Sequence, residues 1–155
     1  MDRRQFIGQV LGVTVAACLA DRVTFAAEAK LKWQTSLKNA QKIALDENKL
    51  LLVVFGASWC TFCHKLERET LVDKKIITLV EREFVPVHLD FDRETRIAKL
   101  LDVEQLPATV VLTPQADLLL HHIGYLEARA YEKNLLSAVQ KRADIAQAKQ
   151  STIVK

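Results

Sequence analysis

The chain has 155 residues, 50% hydrophobic and 26% charged, with four glycines and three prolines. That make-up suits one globular domain and excludes collagen-like and low-complexity chains. Its net charge of +3, from 22 basic and 19 acidic residues, holds no basic block of the kind that marks nucleic-acid binding. Three cysteines are too few for a disulfide scaffold, and a chain of this length can bury roughly 70% of its unfolded surface without such staples.

Residues 1–29 read as an export signal and not as part of the fold. Arg3 and Arg4 precede an apolar run from Phe6 to Ala20, interrupted only by Gly8, Gln9, Gly12 and Thr14. A charged start, a short apolar core and small residues after it make a signal peptide, and the paired arginines match a twin-arginine export signal. The run is too short for a secure membrane span. Thr24-Phe25-Ala26 and Ala27-Glu28-Ala29 both offer small residues for cleavage. Val15-Ala16-Ala17-Cys18 has the form of a lipobox, which would tether the protein to a membrane through Cys18; otherwise Cys18 is a small apolar residue of the signal core. A buried N-terminal helix is the alternative for the whole segment. These residues hold three basic and three acidic groups, so the remainder keeps the same mild charge.

From residue 30 the elements follow in order. Leu31–Asn48 has helical spacing through Trp33, Leu37, Ala40, Ile43 and Ala44, with Trp33 expected as a core anchor of that helix. Leu50–Phe55, ended by Gly56, is a continuous apolar run that predicts a strand buried on both faces. Helical sequence follows at Cys63–Thr70 and around Ile76, Ile77, Leu79 and Val80. Phe84–Phe91 predicts a second strand with Pro86 near its start, and Ile97, Leu100 and Leu101 a short helix. Ala108–Thr113 and Leu118–Ile123 form a hairpin about the turn Pro114–Asp117. Gly124 breaks the pattern before a last helix, Ala128–Ala148, and residues 149–155 form a frayed tail. His121 and His122 are adjacent on a strand, so they point to opposite faces and cannot chelate together. Helices alternating with strands and a terminal hairpin imply an α/β fold, a central mixed sheet of about four strands covered by helices on both faces.

Trp59-Cys60-Thr61-Phe62-Cys63-His64 sits between the first strand and a helix. Cysteines at i and i+3 on a first helical turn are close enough for a disulfide. The helix start offers unpaired N–H groups and positive dipole, which stabilise a thiolate, so Cys60 is the expected nucleophile and Cys63 the residue that resolves the mixed disulfide. Three other readings compete. Cys60–His64 also fits C-x-x-C-H, the attachment motif of c-type haem. Against it, the sole methionine is Met1, so His88, His121 or His122 would have to serve as axial ligand, and the motif follows a strand where small cytochromes are helical. Zinc would need a second ligand pair at structural spacing. A non-enzymatic binding module would make the cysteines incidental.

The sequence resembles the thioredoxin superfamily through Leu51–Cys60 with Cys63, Leu106-Pro107-Ala108-Thr109, and Gly124. Leu66–Asp73 and Gly124-Tyr125-Leu126 look most like exported bacterial members related to a periplasmic thiol-reductant domain. The resemblance spans nearly all of residues 31–147 and implies a thioredoxin-like fold with no cofactor. It also implies a cis Pro107 facing the cysteines, a Leu106 backbone that pairs with the substrate chain, Trp59 packed beside the disulfide, and Gly124 admitting a substrate backbone. The family's buried acid, six residues before the first cysteine, is here Val54, which leaves His88, Glu67 or water as proton acceptors for the buried cysteine. Thr61 and Phe62 stand between the cysteines, so the direction of electron flow is open between reductant and disulfide donor. The expected protein is an exported, monomeric thiol–disulfide oxidoreductase that reduces disulfides in periplasmic proteins and draws on a membrane thiol donor, with membrane attachment only through Cys18.

Overall fold

The computed structural model describes residues 30–153; the expected export signal, with its expected cleavage sites and lipobox at Cys18, lies outside the described residues. Strand β1 (Leu50–Gly56) is buried along its whole length. Alternation sends Leu50, Leu52 and Val54 to one face of the sheet and Leu51, Val53 and Phe55 to the other, and each set enters its own apolar cluster. A strand with no solvent face must be covered on both sides, and the helices supply the covers.

The sheet order is β2-β1-β3-β4, with β2 (Phe84–Asp90) parallel to β1 and β3 (Ala108–Leu112) antiparallel to it. β4 (Leu118–Ile123) pairs antiparallel with β3. Helices α3 (Lys74–Glu83) and α5 (Ala128–Ile153) bring Ile76, Leu79, Val80, Tyr131 and Leu135 to one face of the sheet. On the other face, α1 (Leu37–Glu47) and α4 (Thr95–Leu100) contribute Ala40, Ala44 and Ala98. The expected mixed four-stranded sheet with helices on both faces is the observed architecture.

Three elements differ from the sequence reading. The first helix begins at Leu37, not near Leu31, because Ser36 is its N-cap and accepts from Asn39 N. Residues before it run along the outer edge of β2, where Gln34 donates to Pro86 O (2.8 Å) and accepts from His88 N (2.9 Å). Pro86 lies on an edge strand, and its carbonyl and missing N–H both face outward, so the β1 ladder loses no bond. Trp33 therefore anchors no helix; its ring meets His88 edge-on at 5.9 Å.

The helix after the cysteines is also not uniform. α2 (Thr61–Lys65) passes into a π-helical turn, Leu66–Thr70, closed by Leu71 N on Leu66 O. The widened turn buries Thr70, whose hydroxyl donates to Leu126 O at 2.7 Å. Finally, α5 continues through Ile153, past the expected end at Ala148, with residues 143–151 exposed.

Tyr131 is the largest fully buried side chain, and its hydroxyl accepts from Thr109 Oγ1 at 3.3 Å. Burial holds its phenol well above the ordinary range, and the Thr109 bond only partly offsets this. The folded chain therefore keeps the proton where the unfolded chain would release it. The resulting stability is complete below about pH 10 and is lost as pH rises from there. Tyr131→Phe should cost about 1 kcal/mol near neutral pH, because Thr109 loses its partner. It should also flatten the alkaline fall, so that urea midpoints of the two proteins converge above about pH 10.

Candidate active site

β1 stops at Gly56, and the chain turns through residues 57–59 onto the start of α2. Cys60 is the N-cap of that helix, and its Sγ accepts from Cys63 N at 3.1 Å. The i, i+3 spacing on one helical turn sets the Cα atoms 5.3 Å apart, and Cys60 and Cys63 form a disulfide. Cys60 keeps 6% of its surface exposed and Cys63 only 2%. The pair lies across the mouth of the sheet, with Cys60 the nearer to solvent.

The Leu106–Pro107 peptide bond is cis. It precedes β3 and brings Leu106 against Ala57, Cys60 and Cys63. Neither the amide nor the carbonyl of Leu106 is hydrogen-bonded among the described residues, whereas Pro107 O accepts from Gly124 N at 2.7 Å. Gly124 has φ +103°, and the space beside its Cα is open; a side chain there would be strained, so the position suits glycine. The structure thus brings together Cys60, Cys63 and Leu106, with Pro107 and Gly124 joined behind them.

Trp59 is 64% exposed and its indole N–H donates to Asp92 Oδ2 at 2.8 Å. The ring stands out on the surface, pinned by the turn before α4. Phe62 is 59% exposed, with its ring 6.5 Å from that of Tyr125. Tyr125 carries Lys65 Nζ 4.4 Å from its ring centre and donates its hydroxyl to Glu69 Oε2. The sequence reading missed Phe62 and Tyr125 as a surface pair. An aromatic residue after the first cysteine, together with the aromatic that follows Gly124, was the available signal.

His64 does not face the cysteines. Its Nε2 lies 3.0 Å from Ser58 O, so that nitrogen must be the donor, and Nδ1 is 3.7 Å from Glu67 Oε2. This fixes the imidazole of the C-x-x-C-H run against the backbone that precedes the motif. The motif itself ends a buried strand in a mixed sheet, not a helix of a cytochrome. His121 and His122 alternate on β4 as expected, and each has a buried Nε2 without a partner among the described residues. Burial, then the charge of His121, holds His122 below the ordinary imidazole value.

Beneath the pair, Val54 is buried and apolar, as its position in β1 requires. Its register partner on β2 is His88, which shares its face of the sheet. His88 Nε2 lies 2.9 Å from Glu67 Oε1, and Glu67 comes from the π-helical turn. Gly56 makes this possible. A Cβ on Gly56 would stand 3.2 Å from His88 Nε2 and 3.6 Å from Cys63 Cβ, so the imidazole and Cys63 border the same small gap.

A reactive-type cysteine pair at a strand-to-helix junction, with a cis proline packed beside it through Leu106, defines a thiol–disulfide oxidoreductase. Comparison with known proteins gives the family. The thioredoxin-like domain family matches residues 37–138, and the chain belongs to that family. A search of curated protein sequences finds no relative of this chain. Among solved structures it is similar to a thioredoxin from Thermus thermophilus, at 22% identity and TM-score 0.65 over 71% of this chain and 88% of that one. It is also similar to the DsbH oxidoreductase, at 19% identity and TM-score 0.64 over 86% and 95% of the two chains. The oxidised C-terminal domain of Neisseria meningitidis DsbD matches at 19% identity and TM-score 0.57, over 65% and 94%. At such identities these likenesses establish the fold.

The gap at Gly56 is testable. Gly56→Ala should push the His88 ring off Glu67 and cost about 1–2 kcal/mol, read as a lowered urea midpoint together with a shift of the His88 ring signals in NMR. An unchanged midpoint and unchanged ring signals would mean that the neighbours yield freely.

Proposed function

We propose that the protein is an exported reductant that passes electrons from a membrane thiol donor to disulfides in exported proteins. The observation that carries the direction is the sparse support of Cys60 Sγ. It receives one backbone N–H, from Cys63, while His64 is turned to Ser58 O and Lys65 is held over Tyr125 and near Glu69. A dithiol pair becomes a strong oxidant when its reduced form is stabilised, above all by cations beside the attacking thiolate. Here Lys65 and the His64 ring are both engaged elsewhere.

In this reading Cys60 attacks a substrate disulfide as the thiolate, and one substrate sulfur leaves as thiol. Cys63 then attacks Cys60 Sγ of the mixed disulfide, the second substrate thiol leaves, and the Cys60–Cys63 disulfide remains. Two electrons have passed to the substrate, and the donor restores them by the reverse exchange. The free amide and carbonyl of Leu106 suit an extended substrate segment, which would add as a short strand beside the pair. Pro107 holds that segment at the cysteines, and the open space at Gly124 leaves room for the substrate backbone. Trp59, Phe62 and Tyr125 offer a sequence-tolerant aromatic surface around it.

Residues 1–29 supply the export signal in this proposal and residues 30–148 the functional domain. Outside the cytoplasm neither glutathione nor thioredoxin reductase keeps thiols reduced, which is why a membrane donor is required. Attachment to the membrane itself would run only through a lipid on Cys18.

Equilibration against thiol buffers tests the direction. A reductant should have a potential near that of thioredoxin, about −270 mV, whereas a value near about −120 mV would make the protein a disulfide donor. Cys63→Ser should accumulate mixed disulfides with exported proteins, and Cys60→Ser should accumulate none. Either substitution should lower disulfide reductase turnover by more than about a hundredfold, since each removes a sulfur that the exchange requires.

A further inference from the structure

The loop between β4 and α5, residues 124–127, touches the site at two points. Its first residue, Gly124, donates its N–H to Pro107 O at 2.7 Å, directly after the cis bond. The Tyr125 ring lies 6.5 Å from that of Phe62, which stands between the cysteines. At the far end, Glu127 O accepts from Tyr131 N as α5 begins. Between those ends the loop makes one further backbone hydrogen bond among the described residues: Leu126 O accepts from the Thr70 hydroxyl at 2.7 Å. A segment with so few backbone bonds opens readily unless something fastens it.

Thr70 differs from the other holds on this loop. Tyr125 donates its hydroxyl to Glu69 Oε2 at 3.0 Å, and Lys65 Nζ lies 4.4 Å from the Tyr125 ring centre. Both contacts are open to water, which competes for them and leaves them weak. Thr70 is fully buried, and a buried carbonyl that loses its donor has no ready substitute. All three holds start between Lys65 and Thr70, on the helical stretch that Cys60 caps. The deepest of them comes from the π-helical turn, where Leu71 N closes on Leu66 O and both Leu66 and Thr70 are buried. Such single widened turns occur often at functional sites. Here the turn ties the helix of the cysteines to the loop of Gly124.

We propose that Thr70 is a positioning residue for substrate capture, fixing the loop of Gly124 and Tyr125, through Leu126 O, to the helix that carries the cysteines. Thr70 itself meets neither cysteine. With the loop fixed, the open space beside Gly124 and the free backbone groups of Leu106 keep one spacing from Cys60. An extended substrate segment then finds its groove already formed, and a preorganised groove costs less to fill. Without the Thr70 hydroxyl the substrate must order the loop as it binds, so capture weakens while the sulfur exchange does not. The inference rests on the proposed seat of the substrate at Leu106 and Gly124, and it holds for either direction of electron flow.

Two disulfides separate capture from chemistry. Insulin offers a polypeptide segment to the groove, whereas 5,5′-dithiobis(2-nitrobenzoate) is small enough to reach Cys60 without it. Both are assayed with the full chain carrying Cys18→Ser: insulin reduction with dithiothreitol as donor, and thionitrobenzoate release from the pre-reduced protein. Thr70→Val removes the hydroxyl at nearly equal volume. It should raise the KM for insulin about tenfold while kcat and the thionitrobenzoate rate stay within about twofold. Thr70→Ser keeps the hydroxyl and should restore the KM. Thr70→Ala should give the same split between KM and kcat, and it decides the matter if the valine variant does not fold. A KM for insulin that is unchanged in both Thr70→Val and Thr70→Ala would overturn the positioning role and leave the oxidoreductase intact. So would equal slowing on both disulfides, which is what a merely structural residue would produce. A wild-type chain that reduces neither disulfide would sink the oxidoreductase reading and this inference together.

Discussion

The missing side chain at Gly56 is the constraint on which the site depends. β1 is buried on both faces, so its last residue must lie inside the molecule, and the alternation of the strand turns that position toward α2. A methyl group there would press on His88 Nε2, 3.2 Å away, and meet Cys63 Cβ at an ordinary contact distance. With only a hydrogen, three elements converge on one point: the end of β1, the first turn of α2 and the middle of β2. The disulfide packs with Ala57 and Leu106, and the space at Gly56 is bordered by Cys63 Cβ and the His88 imidazole. The cluster is small, so each member is set by elements whose own burial is secured elsewhere in the sheet. This is why a loop-borne cysteine pair can be held within narrow limits.

What the sequence made legible follows from how local each feature is. The run Leu50–Phe55 needs no partner to be recognised, and the cysteine spacing is contained within one helical turn. The hairpin Ala108–Ile123 is announced by its turn, where Ala116 takes a positive φ. Trp33 was misplaced because helical spacing alone counted it with Leu37, Ala40 and Ala44. Ser36, a good N-cap, was the signal that the helix starts later, and Asn48 in a left-handed conformation marks its end. The pairing of residue 34 with β2 depends on an edge that exists only once the sheet is assembled.

The His88–Glu67 contact shows the opposite case. Its residues are 21 apart, and two non-local facts place them together. One is the parallel register that sets His88 beside Val54. The other is the π-helical turn, which re-aims the side chains after Leu66 relative to a regular helix. Neither is written in periodicity, since Glu67 lies within an ordinary helical pattern and His88 is one more residue in a strand. Val54 alone hinted at the outcome: an apolar residue where the resembling family carries an acid requires the polar group to come from another element.

The two sides of the disulfide are therefore electrically unlike. Toward solvent, Cys60 has a single backbone N–H, and His64 and Lys65 are taken up by Ser58, Tyr125 and Glu69. Toward the core, the space at Gly56 is bordered by Cys63 Cβ and by His88 Nε2, which meets Glu67 Oε1. An arrangement with the cation beside Cys60 would hold that sulfur as a stable thiolate and favour the dithiol, making the pair an oxidant. Placing the titratable pair behind Cys63 instead leaves the outer thiolate little stabilised, so its bond to another sulfur is correspondingly less easily given up. The partition follows from the geometry of Gly56, His64 and the π-helical turn, not from net charge, which for this chain is nearly balanced.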